Sequence, residues 1–345
     1  MRDHTKNPET TPRTAPQATP LVRIRQLIDA NQRFLVASHA NPDGDALGSS
    51  AALGALLQAL GKDVRLYNST GRPKFLEWLP LPCPLVTSLD ELGDFVPDWA
   101  FVLDCGDMAR VGEEIAGSSL QLVNIDHHLG NPDFGAVNWV DPSQAAVGCM
   151  IAALAREFGV PLTGALGESL YLAIVSDTGQ FSYGNTTPDV LALASEIVGS
   201  GLDVGEFTAR WQNQWTLSRL RLWSLALANV QVYDDGAICV VGITRAMLEA
   251  AQATKEDCEG LVETIRRVRG VRMSITLREE VAGQIRISLR SFGDDDAQAV
   301  AQHFGGGGHR NASGATFVGT MTEAEAAVVA AASAVLTSMQ EPAHG

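Results

Sequence analysis

The stretch SHANPDGDALGSS, residues 38–50, sets His39, Asp43 and Asp45 in one tight bend between the apolar run FLVA and the segment AALGALLQALG. Carboxylates two residues apart repel each other unless positive charge sits between them. The same residue types recur in three other segments. Asp104 closes WAFVLD, Asp126, His127 and His128 follow QLVNI, and Asp177 stands in AIVSDTGQF. Histidine is scarce, seven in 345 residues, so three of them after apolar runs is a selective placement.

Taken singly, each residue has a plain structural role. Asp45 can cap the helix expected at 46–60, and Asp43 can shape a turn beside Gly44. Asp104 and Asp177 can cap or terminate their segments, and His127 and His128 can be loop histidines. A calcium loop starting at Asn41 fails, because Ala46 stands where glycine is needed and Ala52 where glutamate is needed. Together the residues form a His and carboxylate set without a thiolate. Such a set suits manganese, iron, cobalt or magnesium better than structural zinc. One ion takes His39, Asp43 and one oxygen of Asp104. A second takes Asp45, the other oxygen of Asp104, His127 and Asp177. A bridging carboxylate holds two ions roughly 3.5–4 Å apart, as two-metal hydrolytic sites require. Two cations would cancel the carboxylate repulsion, lower the pKa of a shared water and stabilise charge on a phosphoryl group. Asp126 is expected to orient His127, leaving His128 to face a phosphate. Gly44 is expected to let the chain turn between Asp43 and Asp45.

These residues need a scaffold that brings distant segments to one edge. Apolar runs at 33–38, 63–67, 99–104 and 121–125 predict strands, and 46–60, 144–158, 164–175 and 187–200 predict helices. Buried strands alternating with helices indicate a parallel sheet. Ligands of such sheets bind at the carboxyl ends of the strands, where the acidic residues and histidines fall. After about residue 200 the pattern changes. A helical stretch at 205–230 carries Trp211 and Trp215 four apart, as a packing stripe on one helix face. Strands at 237–244, 273–279 and 283–291, with helices near 246–267, 296–303 and 322–338, predict a smaller mixed sheet. The expected boundaries are a disordered tail at 1–20, a first domain at 21–200, a helical linker at 201–231 and a second domain at 232–340.

The second domain has its own chemical feature, FGGGGHRNASG at 304–314. Gly306, Gly307 and Gly308 precede His309 and Arg310, and consecutive glycines can line up amides as an anion nest. A flexible linker is the simpler alternative, but the run lies between a predicted helix and the predicted strand ASGATFVG. Arg290, ending GQIRISLRS, is a candidate phosphate clamp. His303 is expected as an exposed helical residue, and Cys105 as a small buried thiol.

The bulk numbers bound the function. Forty-six per cent of residues are hydrophobic, and no run reaches the roughly 18 needed to span a bilayer. Five scattered cysteines with no CxxC argue for reduced thiols and a cytoplasmic location. A net charge of −15 disfavours long nucleic acid, which is gripped by dense Lys and Arg. A phosphate-bearing substrate should be small and held by local positive groups.

HANPDGDALGS, VLDCGD, NIDHH and SDTGQF resemble the four motifs of the DHH phosphoesterase superfamily, named for the triad seen here as Asp126-His127-His128. GGGGHRNASG resembles the glycine-rich motif of its common C-terminal partner domain, with Ser313 in place of an expected alanine. The resemblance covers about residues 22–340. It implies an α/β fold of a parallel-sheet domain and a smaller mixed-sheet domain, with the active site in the cleft between them. It implies two divalent ions, manganese first with magnesium, cobalt or iron as alternatives, on His39, Asp43, Asp45, Asp104, His127 and Asp177. It also implies catalytic roles for His128 and Asp126, and substrate contacts from His128, Arg290, Gly306, Gly307, Gly308 and His309. The layout is most similar to the nano-RNase type, oligoribonucleases that also dephosphorylate 3'-phosphoadenosine 5'-phosphate (pAp). Close relatives cleave pApA or cyclic di-AMP. The expected partners are therefore short RNA or nucleotides, with neither long duplex nor membrane, and a homodimer is implied by resemblance alone. Inorganic pyrophosphatase, exopolyphosphatase and RecJ-type exonuclease are the enzymatic alternatives. A nucleotide-binding regulatory module is the non-enzymatic one, and the intact ligand set argues against it.

Overall fold

The computed structural model describes residues 19–281 and 283–338. Most of the expected N-terminal tail, 1–18, lies outside them. The chain forms two compact units, one up to Asn213 and one from Gln214.

The first unit runs α1 (Pro20–Ala30), β1 (Arg33–Ser38), α2 (Gly44–Ala59), β2 (Asp63–Tyr67), β3 (Leu85–Val86), β4 (Trp99–Leu103), α3 (Glu113–Ala116), β5 (Leu122–Asp126), β6 (Val137–Val140), α4 (Val147–Glu157), α5 (Gly164–Asp177), α6 (Pro188–Gly199) and α7 (Val204–Gln212). Its six strands are ordered β3-β2-β1-β4-β5-β6, and every pair is parallel. Alternate residues feed two cores. Phe34, Val36, Phe101, Leu103, Val123 and Ile125 face the layer holding α1, α2, α4 and α5. Leu35, Ala37, Ala100, Val102 and Leu122 face the other layer with Val111 and Ile115. Both faces are covered, as the continuous apolar runs require.

Strand order reverses between β1 and β4, the switch point where open α/β sheets bind ligands. Register brings the strand ends level there, since Ser38 pairs with Leu103 and Leu103 with Ile125. His39, Asp104 and Asp126 therefore emerge in one row.

The helices add the remaining residues through close packing. A Cβ on Gly48 of α2 would lie 2.7 Å from the Ser169 carbonyl oxygen and 3.0 Å from the Ala173 nitrogen, both in α5. A Cβ on Gly44 would meet the Ser176 side chain at 2.6 Å. Gly44 is thus needed for helix contact. It is the first residue of α2 and is absent from the positive-φ positions, so it does not make the turn expected of it.

The second unit runs α8 (Leu217–Leu227), β7 (Gln231–Tyr233), β8 (Ile238–Ile243), α9 (Arg245–Ala251), α10 (Leu261–Arg266), β9 (Met273–Glu279), β10 (Gln284–Ser291), α11 (Ala297–Gln302), β11 (Gly307–His309), β12 (Ala312–Val318) and α12 (Met321–Ser338). Its sheet, β11-β12-β10-β9-β8-β7, is mixed: β8 and β9 are parallel and the other pairs antiparallel. On β10, Ile285, Ile287 and Leu289 point into the core beneath α11 and α12. Alternation sends Arg286, Ser288 and Arg290 to the opposite face.

Two expected helices are each broken. The 205–230 stretch ends at Asn213 and restarts at Thr216, whose hydroxyl accepts from the Arg219 amide as an N-cap. Trp211 and Trp215 consequently share no helix face; Trp215 instead packs against Trp223, the rings tilted 56° with centroids 4.6 Å apart. The 246–267 stretch stops at Gln252, which takes left-handed φ, and Gly260 starts α10.

Replacing Gly48 with Ala should cost about 1–3 kcal/mol, because the added methyl meets backbone atoms that cannot rotate away. A lowered urea midpoint at unchanged m-value checks this.

Candidate metal centre

The bend that opens the site is fixed by hydrogen bonds. Asp43 caps α2, its Oδ1 accepting from the Asp45 and Ala46 amides at 3.1 and 3.0 Å. Asp45, the cap expected from the sequence, sits further in and is fully buried. Its carboxylate instead caps another helix. Oδ2 accepts from the Val147 amide at 2.7 Å and Oδ1 from the Gly148 amide at 3.1 Å, at the start of α4. That helix has no side-chain cap of its own, so Asp45 supplies the acceptor its free amides need. Ser49, one turn along α2, adds a third donor at 2.6 Å. Asn68 clamps the start of the bend, donating to the His39 carbonyl at 2.9 Å.

Six side chains meet at this edge. His39 Nε2 lies 3.6 Å from Asp104 Oδ2 and 4.0 Å from Asp43 Oδ2. His127 Nε2 lies 3.4 Å from Asp104 Oδ1, 3.3 Å from Asp177 Oδ2 and 3.8 Å from Asp45 Oδ2. Three overlapping groups result among the described residues, His39/Asp43/Asp104, Asp45/His127/Asp177 and Asp104/His127/His128, each with its ligand atoms within 4.8 Å of one another; the first two are the candidate ligand sets. Asp104 reaches the first through Oδ2 and the second through Oδ1. It takes left-handed φ of 52° and is 2 % exposed.

The donor set fits a metal. The Nδ1 of His39 faces the Ala40 carbonyl at 2.9 Å, and that of His127 faces the Gln144 carbonyl at 3.1 Å. A carbonyl can only accept, so Nδ1 carries hydrogen in both rings and Nε2 is directed at the carboxylates. Lone pairs facing lone pairs at 3.3–3.8 Å require a proton or a cation between them. Asp104 Oδ1 is buried and accepts no hydrogen bond, a costly state that coordination would relieve.

The acid–base balance carries the same signature. Burial and the charges of Asp104 and Asp177 push the Asp45 carboxyl well above its ordinary range. Burial and the charges of Asp104 and Asp43 push Asp177 up to about 6. Burial opposes charge on His127, yet Asp104 and Asp177 push its imidazole up to about 12. Burial likewise opposes ionisation of Asp104, but the facing imidazoles of His127 and His39 at 3.4 and 3.6 Å hold it well below the carboxylate range. Protonated imidazoles are here the stand-ins for cations.

Asp126 does not orient His127, as the sequence suggested. Its Oδ1 accepts from His128 Nδ1 at 2.7 Å. Asp126 and His128 meet each other, while His127 turns to Asp104, Asp177 and Asp45. Asp126 Oδ2 accepts from Asn131 at 2.6 Å, and Asn131 also donates to buried Asn124 at 2.8 Å. His128 Nδ1 lies 3.6 Å from Asp104 Oδ1, beside the metal-ligand groups. Burial pushes the Cys105 thiol up to about 11, so it is inert.

The remaining predicted contacts lie in the second unit. Arg290 Nε donates to Glu263 Oε1 at 2.8 Å. The glycine run is a hairpin strand and not a nest: Gly307, Gly308 and His309 pair with Gly314, Ser313 and Ala312. Side chains at 306 and 308 would strike β12, while 307 is open. The His309 side chain lies outside the described residues. His303 is exposed at the end of α11.

Residues 33–174 match the DHH family, N-terminal domain, and residues 237–338 match the DHHA1 domain. The chain is 38% identical over 286 residues to the bifunctional oligoribonuclease and PAP phosphatase NrnA of Thermus thermophilus, covering 82% of this chain and 84% of that protein. It is 30% identical to the protein of the same name from Bacillus subtilis, covering 86% and 92%. Among solved structures, an exopolyphosphatase-related protein from Bacteroides fragilis superposes with a TM-score of 0.87 at 29% identity, covering 93% of this chain and 98% of that one. No described helix is long and apolar enough to cross a membrane.

Added Mn²⁺ should raise the melting temperature, by the equivalent of about 2.7 kcal/mol at a hundredfold excess over Kd. EDTA should reverse the rise, and Asp104→Asn should abolish most of it, since both ligand sets use Asp104. In the metal-free protein, Asp177 holds its proton more tightly folded than unfolded. Stability should therefore fall as pH rises from about 4 to about 6, by at most about 3 kcal/mol. Urea midpoints across that range should show this component of the slope missing in Asp177→Asn.

Proposed function

This chain belongs to the DHH family, and from that premise we propose that it is a metal-dependent phosphoesterase hydrolysing very short RNA and small phosphorylated nucleotides such as pAp. The observation that carries the proposal is the pair of His and carboxylate groups joined through Asp104 at the sheet's switch point. It gains substrate identity from relatives named oligoribonuclease and PAP phosphatase that match most of the chain. In this proposal residues 21–200 are the catalytic domain, 201–231 a linker and 232–340 the substrate-binding domain. The five cysteines are free thiols, which accords with a cytoplasmic enzyme.

His39, Asp43 and Asp104 would hold one divalent ion, and Asp45, Asp104, His127 and Asp177 a second, with manganese the preferred metal. The bound ions supply a water of lowered pKa and charge stabilisation for the phosphoryl oxygens. The protein's own groups do the rest. The Ala40 and Gln144 carbonyls hold the two ligand imidazoles with Nε2 inward. Asp126, braced by Asn131, holds His128 through Nδ1, so that Nε2 is the atom that would meet a phosphate or leaving oxygen. Arg290, with Nε tied to Glu263, offers its remaining donors to a phosphate. Gly307 lets a ligand approach the His309 backbone closely, with His309 as a further substrate contact. The −15 net charge opposes long polyanions, which accords with short substrates.

An activity panel over pAp, pApA, short RNA, cyclic di-AMP and pyrophosphate, with Mn²⁺ and with EDTA, tests this. Release of AMP from pAp and pApA only with metal is the expected result, and cleavage of pyrophosphate alone would replace this proposal with a pyrophosphatase. Asp104→Ala should lower kcat by at least about a thousandfold, since it strips a ligand from both ions. Arg290→Ala should raise KM by about ten- to a hundredfold with a smaller change in kcat.

A further inference from the structure

Asp177 is the last residue of α5, and the chain leaves it through a strained turn. Gly179, Gln180 and Phe181 come next but one, with φ of 54°, 57° and 63°. Successive left-handed residues are disfavoured for L-amino acids, and a bulky aromatic there is an outlier that its surroundings must enforce. Glycine is required at the first position on a second ground, because an added Cβ would strike the Tyr183 ring. A helix end needs only one left-handed residue to satisfy its last carbonyls. Three exceed what termination demands.

The turn is held from several sides. The Phe181 amide donates to Thr178 Oγ1 at 3.1 Å, and that fully buried hydroxyl donates to the Ile174 carbonyl at 2.7 Å. The Phe181 ring lies 6.2 Å from Tyr171, whose ring meets Phe207 of α7 edge-on at 4.9 Å. Gln212, at the end of α7, donates to Gln180 Oε1 at 2.9 Å. The chain then returns to the site. The Asn185 amide donates to the Asp177 carbonyl at 3.0 Å and to the Ala145 carbonyl at 3.2 Å. Ala145 follows Gln144, whose carbonyl fixes the His127 ring. One side chain therefore ties the backbone beside His127 to the backbone of Asp177, two residues whose ligand atoms lie 3.3 Å apart.

We propose that Gln180, Phe181 and Asn185 are positioning residues, forming a strained loop clamped by α7 that sets Asp177 against His127 and so tunes metal affinity. The inference rests on the proposed binding of metal by Asp177 and His127. It makes strain the means of placement: relaxing the turn should stabilise the fold and loosen the site together.

Two variants of the full chain, stripped with EDTA and titrated with Mn²⁺ alone in a calorimeter, test this beside thermal melts without metal. Gln180→Gly relieves one left-handed φ and removes the bond to Gln212. Its melting temperature should rise by about 2–4 °C while Mn²⁺ affinity falls about tenfold. Asn185→Ala should lose about tenfold in affinity at an unchanged melting temperature. Loss of affinity at equal or higher melting temperature in either variant upholds the proposal. Affinity retained in both, or lost only alongside melting temperature, overturns it. Wild-type Mn²⁺ binding by Asp177→Ala would overturn the metal reading itself, and the proposal with it.

Discussion

Carboxylate repulsion is the constraint on which the first unit depends. Asp45, Asp104 and Asp177 converge on one imidazole, and Asp43 and Asp104 on another. Apolar packing alone would disperse such charges toward water, since an unpaired buried carboxylate is among the costliest groups a fold can carry. The parallel sheet prevents that. Its register levels the ends of β1, β4 and β5, and glycines in α2 bring α5 close enough to deliver Asp177 beside Asp45. Backbone geometry fixed by two large cores supplies the energy that concentrates the charge.

A concentrated site still has to be aimed. Three of these side chains are held by partners outside the set: Asp45 by the free amides of α4, His127 by the Gln144 carbonyl, His39 by that of Ala40. Asp45 shows how one residue serves fold and site at once. Its acceptor oxygens complete a helix start from 102 residues away, so the helix dipole favours the ionised form that burial opposes. Losing that carboxylate would uncap α4 as well as weaken the site, and fold stability alone would not separate the two effects.

Residue type and position after apolar runs made the convergence of these side chains legible, because parallel strands deliver the residues just past their carboxyl ends to a common edge. The division of labour around Asp104 was legible too, because a carboxylate has two oxygens on opposite sides. The supports were not. Gln144 and Ala40 act through backbone carbonyls, which every residue possesses, and Asn131 and Asn185 act across loops whose closure the sequence does not state. Ser49 was available as an i+4 neighbour of Asp45 on a helix. The pairing of Asp126 with His128 joins residues two apart, a spacing the sequence does display. In the second unit, the glycine run suggested a nest because glycine permits left-handed backbone; at 306 and 308 the structure uses it for close approach to β12.

The distribution of charge completes the argument about substrate. A chain of net charge −15 repels phosphate at long range, and screening confines that repulsion to about 8–10 Å at ordinary ionic strength. Attraction must then come from groups at contact range: in the first unit the ions the carboxylates would hold and His128, and in the second unit, taken by itself, Arg290 beside Arg278 and Arg286. A preference for short substrates is then consistent with electrostatics alone, because net repulsion grows with each added phosphate while these local attractions do not.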